Sequence, residues 1–220
     1  MKPESGSRMP WKILGSGWIL GFTMWAALFC VVPMEHILKE ALALTHTQTI
    51  LLYTIPMVTL AVVSIPGGIL ADRIGARKAA GIGVIITMVG SILRATAASP
   101  LSLLAFTAIF GVGLGLTFPN FPKLVSAWVP RERAGVATGA IMSGLLTGGA
   151  VAIAITVPFI FPVTSTYQGA FLIWSIGPVV AAILWWTLVK EPPRGEQGVT
   201  VDSKAQPAGS LKSILANRWI

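Results

Sequence analysis

Gly68-Ile-Leu-Ala-Asp72-Arg73-Ile-Gly75-Ala-Arg77-Lys78 decides the architecture of this 220-residue chain. Four of its eleven residues are charged, and three of those are basic. The sequence on both sides is apolar. Upstream, 31 uncharged residues separate Glu40 from Asp72, and downstream 15 separate Lys78 from Arg94. A short basic turn between two long apolar runs fits a helical hairpin in a bilayer, because a charged side chain is expensive in hydrocarbon and tolerated at the interface. Gly75 suits a turn that needs positive φ. Gly68 lets two helix backbones approach closely. The basic residues favour the C-terminal dipole of the preceding helix and an anionic inner leaflet. Asp72 either pairs with them or caps the following helix.

The same marking of charges extends outward. A membrane helix needs about 20 apolar residues to cross a core of about 30 Å. Lys12 to Glu35 leaves 22 uncharged residues, Arg94 to Lys123 leaves 28, and Arg133 to Lys190 leaves 56. The last gap is too long for one helix and divides at the proline-bearing stretch Pro158 to Gln168. The reading is six helices at about 13–34, 48–71, 79–98, 101–127, 134–157 and 168–189. The first run is too long for a signal-peptide core and no small-residue cleavage site follows, so it reads as a retained helix.

Composition agrees. Hydrophobic residues make up 54% of the chain and charged ones 11%, against about 25% charged in an ordinary soluble domain. Mean hydropathy is +0.78. These values exclude a soluble globular enzyme and a disordered chain. The 15 prolines and 23 glycines suit membrane helices. A single cysteine, Cys30, excludes a disulfide framework and a cysteine-based metal site. No phosphate-binding loop, paired carboxylates, metal cluster or nucleophile–base set is present. The chain therefore reads as non-enzymatic, with no catalytic residues, cofactor or metal.

The net charge is +8 and the pI about 10.2. Six crossings put both termini on one side. Lys2, Arg8, Lys12, Arg73, Arg77, Lys78, Lys123, Arg131, Arg133, Lys190, Arg194, Lys204, Lys212 and Arg218 fall there, which is 14 of the 16 basic residues. Only Lys39 and Arg94 fall on the other side. This asymmetry assigns the basic side to the cytoplasm. The expected setting is the plasma or inner membrane, with lipid as a partner and no nucleic acid. Trp11, Trp18, Trp128, Trp185 and Trp186 lie near span ends, as interfacial anchors do.

The opening stretch resembles the signature loop of the major facilitator superfamily, G-x-x-x-D-R-x-G-R-[RK]. Gly68, Asp72, Arg73, Gly75 and Lys78 match it, Arg77 fits its basic cluster, and Ala76 departs from it. The loop also lies between the second and third helices on the inner side. The resemblance implies an all-α transmembrane fold, a six-helix half bundle made of two inverted three-helix repeats. It implies a secondary transporter moving a small solute by alternating access. It gives Gly68, Asp72, Arg73, Gly75, Arg77 and Lys78 a gating role, latching two halves in one state of the cycle. The alternative is a basic turn that only sets topology.

The resemblance covers about residues 13–220 and half of the family's twelve helices. It divides the chain into a cytoplasmic N-terminus (1–12), the bundle (13–189) and a central linker (190–220). The linker carries Pro192, Pro193, Gly195, Gly198 and Pro207. It ends in an amphipathic stretch with Leu211, Ile214 and Leu215 on one face, a lead-in to a seventh helix. The expected partner is a C-terminal six-helix half or a second copy.

Several stretches are similar to the cyanate and nitroimidazole transporter group. They are Leu52-Tyr-Thr-Ile-Pro56, Gly90-Ser-Ile-Leu-Arg94, the glycines at 111, 113 and 115, and the run from Phe118 to Arg133. An arginine of that group's first helix is absent. The drug/proton antiporter pattern fails, with Thr107 in place of an arginine and Gly148-Gly149 in place of Gly-Pro. In this family helices 1 and 4 line the pathway, flanked by 2 and 5. The substrate-contact candidates are then Phe22, Trp25, Tyr53, Thr117, Asn120 and Lys123. Asn120 leads, because it stands between Pro119 and Pro122, where backbone groups are freed. For the aromatics, packing is the alternative.

Lys123 reads as an anion contact or an inner-leaflet anchor. Arg94 reads as anion attraction at the outer mouth, or as a snorkelling or structural contact. Glu35 and His36 are either a proton-coupling site or a hydrated interfacial pair, and His46 is solvated. The pairs Gly17/Gly21, Gly111/Gly115, Gly135/Gly139 and Gly144/Gly148 fit small-residue packing. The basic balance and the missing deep carboxylates lean to a small organic or inorganic anion. The rival readings are a non-transporting sensor or assembly protein on the same scaffold, and an inert truncated product.

Overall fold

The computed structural model describes residues 11–123, 129 and 131–189, and all regular structure among them is helical. Six spans are long and apolar enough to cross a membrane: α1 (Leu14–Leu42), α2 (His46–Ile74), α3 (Ala76–Ala95), α4 (Pro100–Lys123), α5 (Arg133–Thr164) and α6 (Tyr167–Leu188). Residues 1–10 of the expected N-terminal segment, the 190–220 segment and Trp128 lie outside the described residues.

Local chemistry sets the ends. Thr45 accepts from the Gln48 amide while the Gln48 side chain accepts from the Thr45 amide, a capping box that starts α2. Ser99 and Ser102 do the same for α4. Thr166 caps α6 by accepting from the Gly169 amide at 3.2 Å. Between α2 and α3 the chain turns on one residue, Gly75, at φ 95°. The loop's glycine therefore does what its residue type anticipated.

Three spans differ from the charge-gap reading. In α1 the regular helix Trp11–Phe29 breaks, continues through the 3-10 turn Val32–Met34, and resumes over Glu35–Leu42. Glu35 and His36 thus sit on a helical arm. α3 runs past Arg94, as expected, but stops at Ala95 rather than about 98. α5 does not end at Pro158. Proline has no N–H to donate, and the chain passes it in a π turn over Thr156–Ile160 and reaches Thr164. The reversal comes at Ser165, in the left-handed region at φ 54°.

The bundle packs in the order α5–α1–α6–α3–α4–α2. Exchanging α1 with α4, α2 with α5 and α3 with α6 reproduces the same neighbour pairs. Odd and even spans run in opposite directions, so the two three-helix units are inverted relative to each other. Buried Leu20, Met24, Val84, Phe110, Leu114, Ile141, Leu145 and Trp185 fill the inner part of the core. Facing outward is the stripe Ile82, Ile85, Val89 and Ile92 on α3, spaced as one helix face. Lipid tails suit such a stripe.

Close backbone approach holds the pairs. A Cβ on Gly144 would sit 2.6 Å from the Trp18 carbonyl oxygen, and one on Gly148 would strike the Phe22 carbonyl. On the other side of the exchange, a Cβ on Gly111 would meet the Pro56 backbone and one on Gly115 the Leu60 carbonyl. Two sequence expectations change here. Gly68 has nothing within 4 Å of its Cβ position, and its neighbour Gly67 makes the close approach, to the Gly115 carbonyl at 2.9 Å. Gly135 and Gly139 also have open space and are not packing glycines. Trp185 is buried rather than interfacial, donating to the Arg77 carbonyl at 3.3 Å.

Gly148→Ala is expected to push α1 and α5 apart at a cost of about 1–3 kcal/mol or more, read as a lower thermal midpoint and an aggregated fraction in detergent. Gly135→Ala is expected to leave both unchanged. Equal behaviour of the two variants would contradict the packing described.

Candidate solute pathway

On α1, Trp18, Phe22, Trp25 and Phe29 follow one another at three- and four-residue spacing, so they share one helix face. All four are half-buried, so this side of α1 is only partly covered by its neighbours α4 and α5. Trp18 and Phe22 stack at 5.3 Å with an interplanar angle of 18°. Trp25 stacks on Phe118 of α4 at 5.1 Å and 23°, and Phe118 meets Phe121 edge-on at 6.0 Å. These aromatic contacts tie α1 to α4, the two spans related by the internal exchange. Trp18 also donates its ring N–H to the Ser143 hydroxyl of α5 at 3.2 Å.

Phe22 turns partly away from this wall. It lines an apolar cavity of about 320 Å³ with Thr23, Ala26, Ile155, Ile160, Ile173 and Trp174, among others. The π turn of α5 forms one side of that cavity. Its buried Thr156 accepts from the Trp174 ring N–H at 2.9 Å.

Asn120 and Thr117 sit behind the wall. Both are fully buried. Asn120 donates to the Leu116 carbonyl at 2.7 Å, where the regular part of α4 ends. Thr117 donates to Gly113 of its own helix at 2.9 Å and lies 3.4 Å from the Ala80 carbonyl of α3. The prolines around Asn120 place a polar side chain where the helix is interrupted; its amide nitrogen donates to its own helix, while its Oδ1 is buried with no hydrogen-bond partner among the described residues. Tyr53 stands at the other end of the molecule, donating from its hydroxyl to Glu35 at 3.0 Å and linking α2 to the arm of α1. His36 pairs with Glu40 at 3.5 Å rather than with Glu35. His46 is exposed at the start of α2.

The basic loop is organised by a distant partner. Asp72 takes a 2.6 Å contact from the Lys123 ammonium of α4, which also donates to the Gly68 carbonyl at 3.2 Å. Asp72 does not cap α3, whose start has no side-chain cap. Lys123, expected as an anion contact or a leaflet anchor, is paired with this loop carboxylate. Arg77 reaches α6, with its guanidinium 5.6 Å from the Trp186 ring centre and donating to the Trp186 carbonyl at 3.4 Å. Arg73 and Lys78 are exposed on the same end. The basic end is therefore knitted across α2, α3, α4 and α6.

Phe118 and Phe121 were not singled out by sequence, although they follow the glycine run by a few residues. Their importance comes from Trp25, on another helix. Among the described residues, no group of three or more His, Cys, Asp or Glu side chains converges as a metal site would require.

The comparisons agree with this architecture. The hexuronate transporter of Bacillus subtilis is 27% identical over 157 residues, 71% of this chain and 37% of the relative. A probable sulfoacetate transporter of Cupriavidus necator is 28% identical over 179 residues, 80% of this chain and 40% of the relative. The chain thus spans well under two thirds of the length of these relatives. A bacterial homologue of the human lysosomal transporter Spinster, solved inward-facing and unoccupied, superposes with a TM-score of 0.75 at 21% identity. That match covers 91% of this chain and 48% of the other, and it supports the fold alone. The family pattern described as Major Facilitator Superfamily matches residues 17–220, and this chain belongs to that superfamily.

Proposed function

We propose that this chain forms the N-terminal half of a secondary transporter that moves a small organic anion across the cytoplasmic membrane by alternating access. The observation that carries the reading is the Lys123–Asp72–Gly68 link, because it joins the inner ends of α2 and α4 through the loop expected to latch two halves. The opposite wall is supplied by a second six-helix half, reached through the 190–220 linker, or by a second copy. Both termini lie in the cytoplasm, on the side where Arg73, Arg77, Lys78 and Lys123 gather.

The relatives named for hexuronate and sulfoacetate favour a carboxylate or sulfonate solute over cyanate. The narrower likeness to the cyanate and nitroimidazole group remains the alternative for a smaller anion. The wall itself suggests how the solute is held. Aromatic faces are electron-rich and attract C–H surface rather than anionic oxygen. Trp25 and Phe118 would therefore hold the carbon skeleton of the solute. Its charge would be met from the opposite wall, since Lys123 is occupied by Asp72.

The reading is tested in proteoliposomes carrying the natural gene product, with labelled hexuronate as the solute. A half-exposed ion pair is worth about 0–1 kcal/mol. Asp72→Ala should therefore leave the membrane content unchanged while uptake falls at least about tenfold, and the exchange Asp72→Lys with Lys123→Asp should recover part of it. Unchanged uptake at normal content would remove the gating role. Trp25→Ala is expected to raise KM about two- to tenfold, the equivalent of about 0.5–1.5 kcal/mol of aromatic contact. No accumulation of any carboxylate or sulfonate in a panel would contradict the transport reading.

A further inference from the structure

Arg94 is not used by the pathway described above. It is 1% exposed, on α3, with no carboxylate paired to it among the described residues. A cation buried this completely inside a bundle of apolar helices is costly and points to a working position. Its guanidinium lies between two rings, 5.1 Å from the centre of Phe110 on α4 and 4.5 Å from that of Phe171 on α6. One terminal nitrogen donates to the Ala27 carbonyl of α1 at 2.8 Å. One side chain therefore joins four helices.

The carbonyl it holds is at a special place. The regular helix of α1 ends at Phe29, two residues beyond Ala27. The Cys30 thiol donates to the same Ala27 carbonyl at 3.3 Å. Pro33 follows, and its missing N–H weakens the helix across the break. Beyond the break, the arm Glu35–Leu42 is held by buried Leu38 and Leu42 and by the Glu35–Tyr53 hydrogen bond. Before the break, Trp25 stands on the open wall. A bend between the two would swing the arm over the far end of that wall. Arg94 fixes the last turn before the bend.

We infer that Arg94 is a positioning residue that clamps the break in α1 and so sets how far the outer arm swings. The clamp is a property of the fold. Its effect on solute movement rests on the transport reading above.

Cys30, fully buried beside the clamp and the only cysteine in the 220 residues, reports on it directly. The natural gene product in native membranes is treated with a membrane-permeant maleimide, and modification of Cys30 is followed by peptide mass. Arg94→Met, which keeps the bulk without the charge, is expected to raise the Cys30 modification rate about tenfold or more, the scale of losing one charge-assisted hydrogen bond. Arg94→Lys keeps the charge without the planar fork and should fall between. Phe171→Leu, which removes one ring, should give a smaller rise and keeps the test open if Arg94→Met does not fold. A Cys30 rate unchanged in folded Arg94→Met or in Phe171→Leu would overturn the clamp. The same variants are assayed for uptake. Faster Cys30 modification with kcat and KM both unchanged would overturn the positioning role and leave the transporter reading standing. A shifted kcat with near-normal KM, partly rescued by Arg94→Lys, supports it. Absence of uptake in the wild type would sink the transporter reading while leaving the clamp measurable.

Discussion

Close backbone approach between helices is the constraint on which the rest depends. In a membrane there is little hydrophobic drive to bring helices together, so van der Waals fit decides the pairing. Gly144 and Gly148 let α5 lie against the α1 backbone, and Gly111 and Gly115 let α4 lie against α2. These two contacts are equivalents under the internal exchange of three-helix units. The same kind of contact recurs on the other sides of α1 and α4: a Cβ on Gly177 of α6 would meet Thr23 of α1, and one on Gly90 of α3 would meet the Phe110 backbone of α4. Across this bundle Trp25 of α1 stacks on Phe118 of α4.

Charge is distributed on this scaffold according to depth. At the basic end, Asp72, Lys123 and Arg77 link neighbouring helices through exposed or half-exposed contacts that cost little to break and remake. Deep in the bundle, Arg94 is held by two rings and a carbonyl in a setting that resists rearrangement. The first kind of contact suits a latch and the second a fixed point. The alternating access proposed above would use both, because a rigid half must tilt as a unit while its edges exchange partners.

The six spans were legible in the sequence because charges are few and mark the water-exposed loops. Gly75 was legible because a one-residue turn between helices has one suitable residue type. The misplaced boundaries fell where backbone geometry departs from the simple rule. Pro158 breaks an α-helix but is absorbed by a π turn, and Pro33 follows a break that does not end its span. Adjacent glycines defeated the packing assignment at Gly67 and Gly68, since a helix turns about 100° per residue and only the neighbouring α4 decides which one is covered. The site was less legible still. Asp72 and Lys123 are 51 residues apart, and Arg94 meets rings from two other helices. No local pattern encodes such pairings. Asn120 was prominent in sequence because of its flanking prolines, yet its side-chain amide turns back to the Leu116 carbonyl of its own helix.

In the transporter proposed above, the Trp25 face of α1 borders a water-filled path for solute. The most direct measurement places cysteine at that position, Trp25→Cys with Cys30→Ser, in the natural gene product in sealed vesicles. A charged, membrane-impermeant maleimide is then applied with and without a hexuronate solute. The account predicts modification from the aqueous phase that slows when solute is present. Resistance to the charged reagent, with modification only by a reagent dissolved in the lipid, would contradict it.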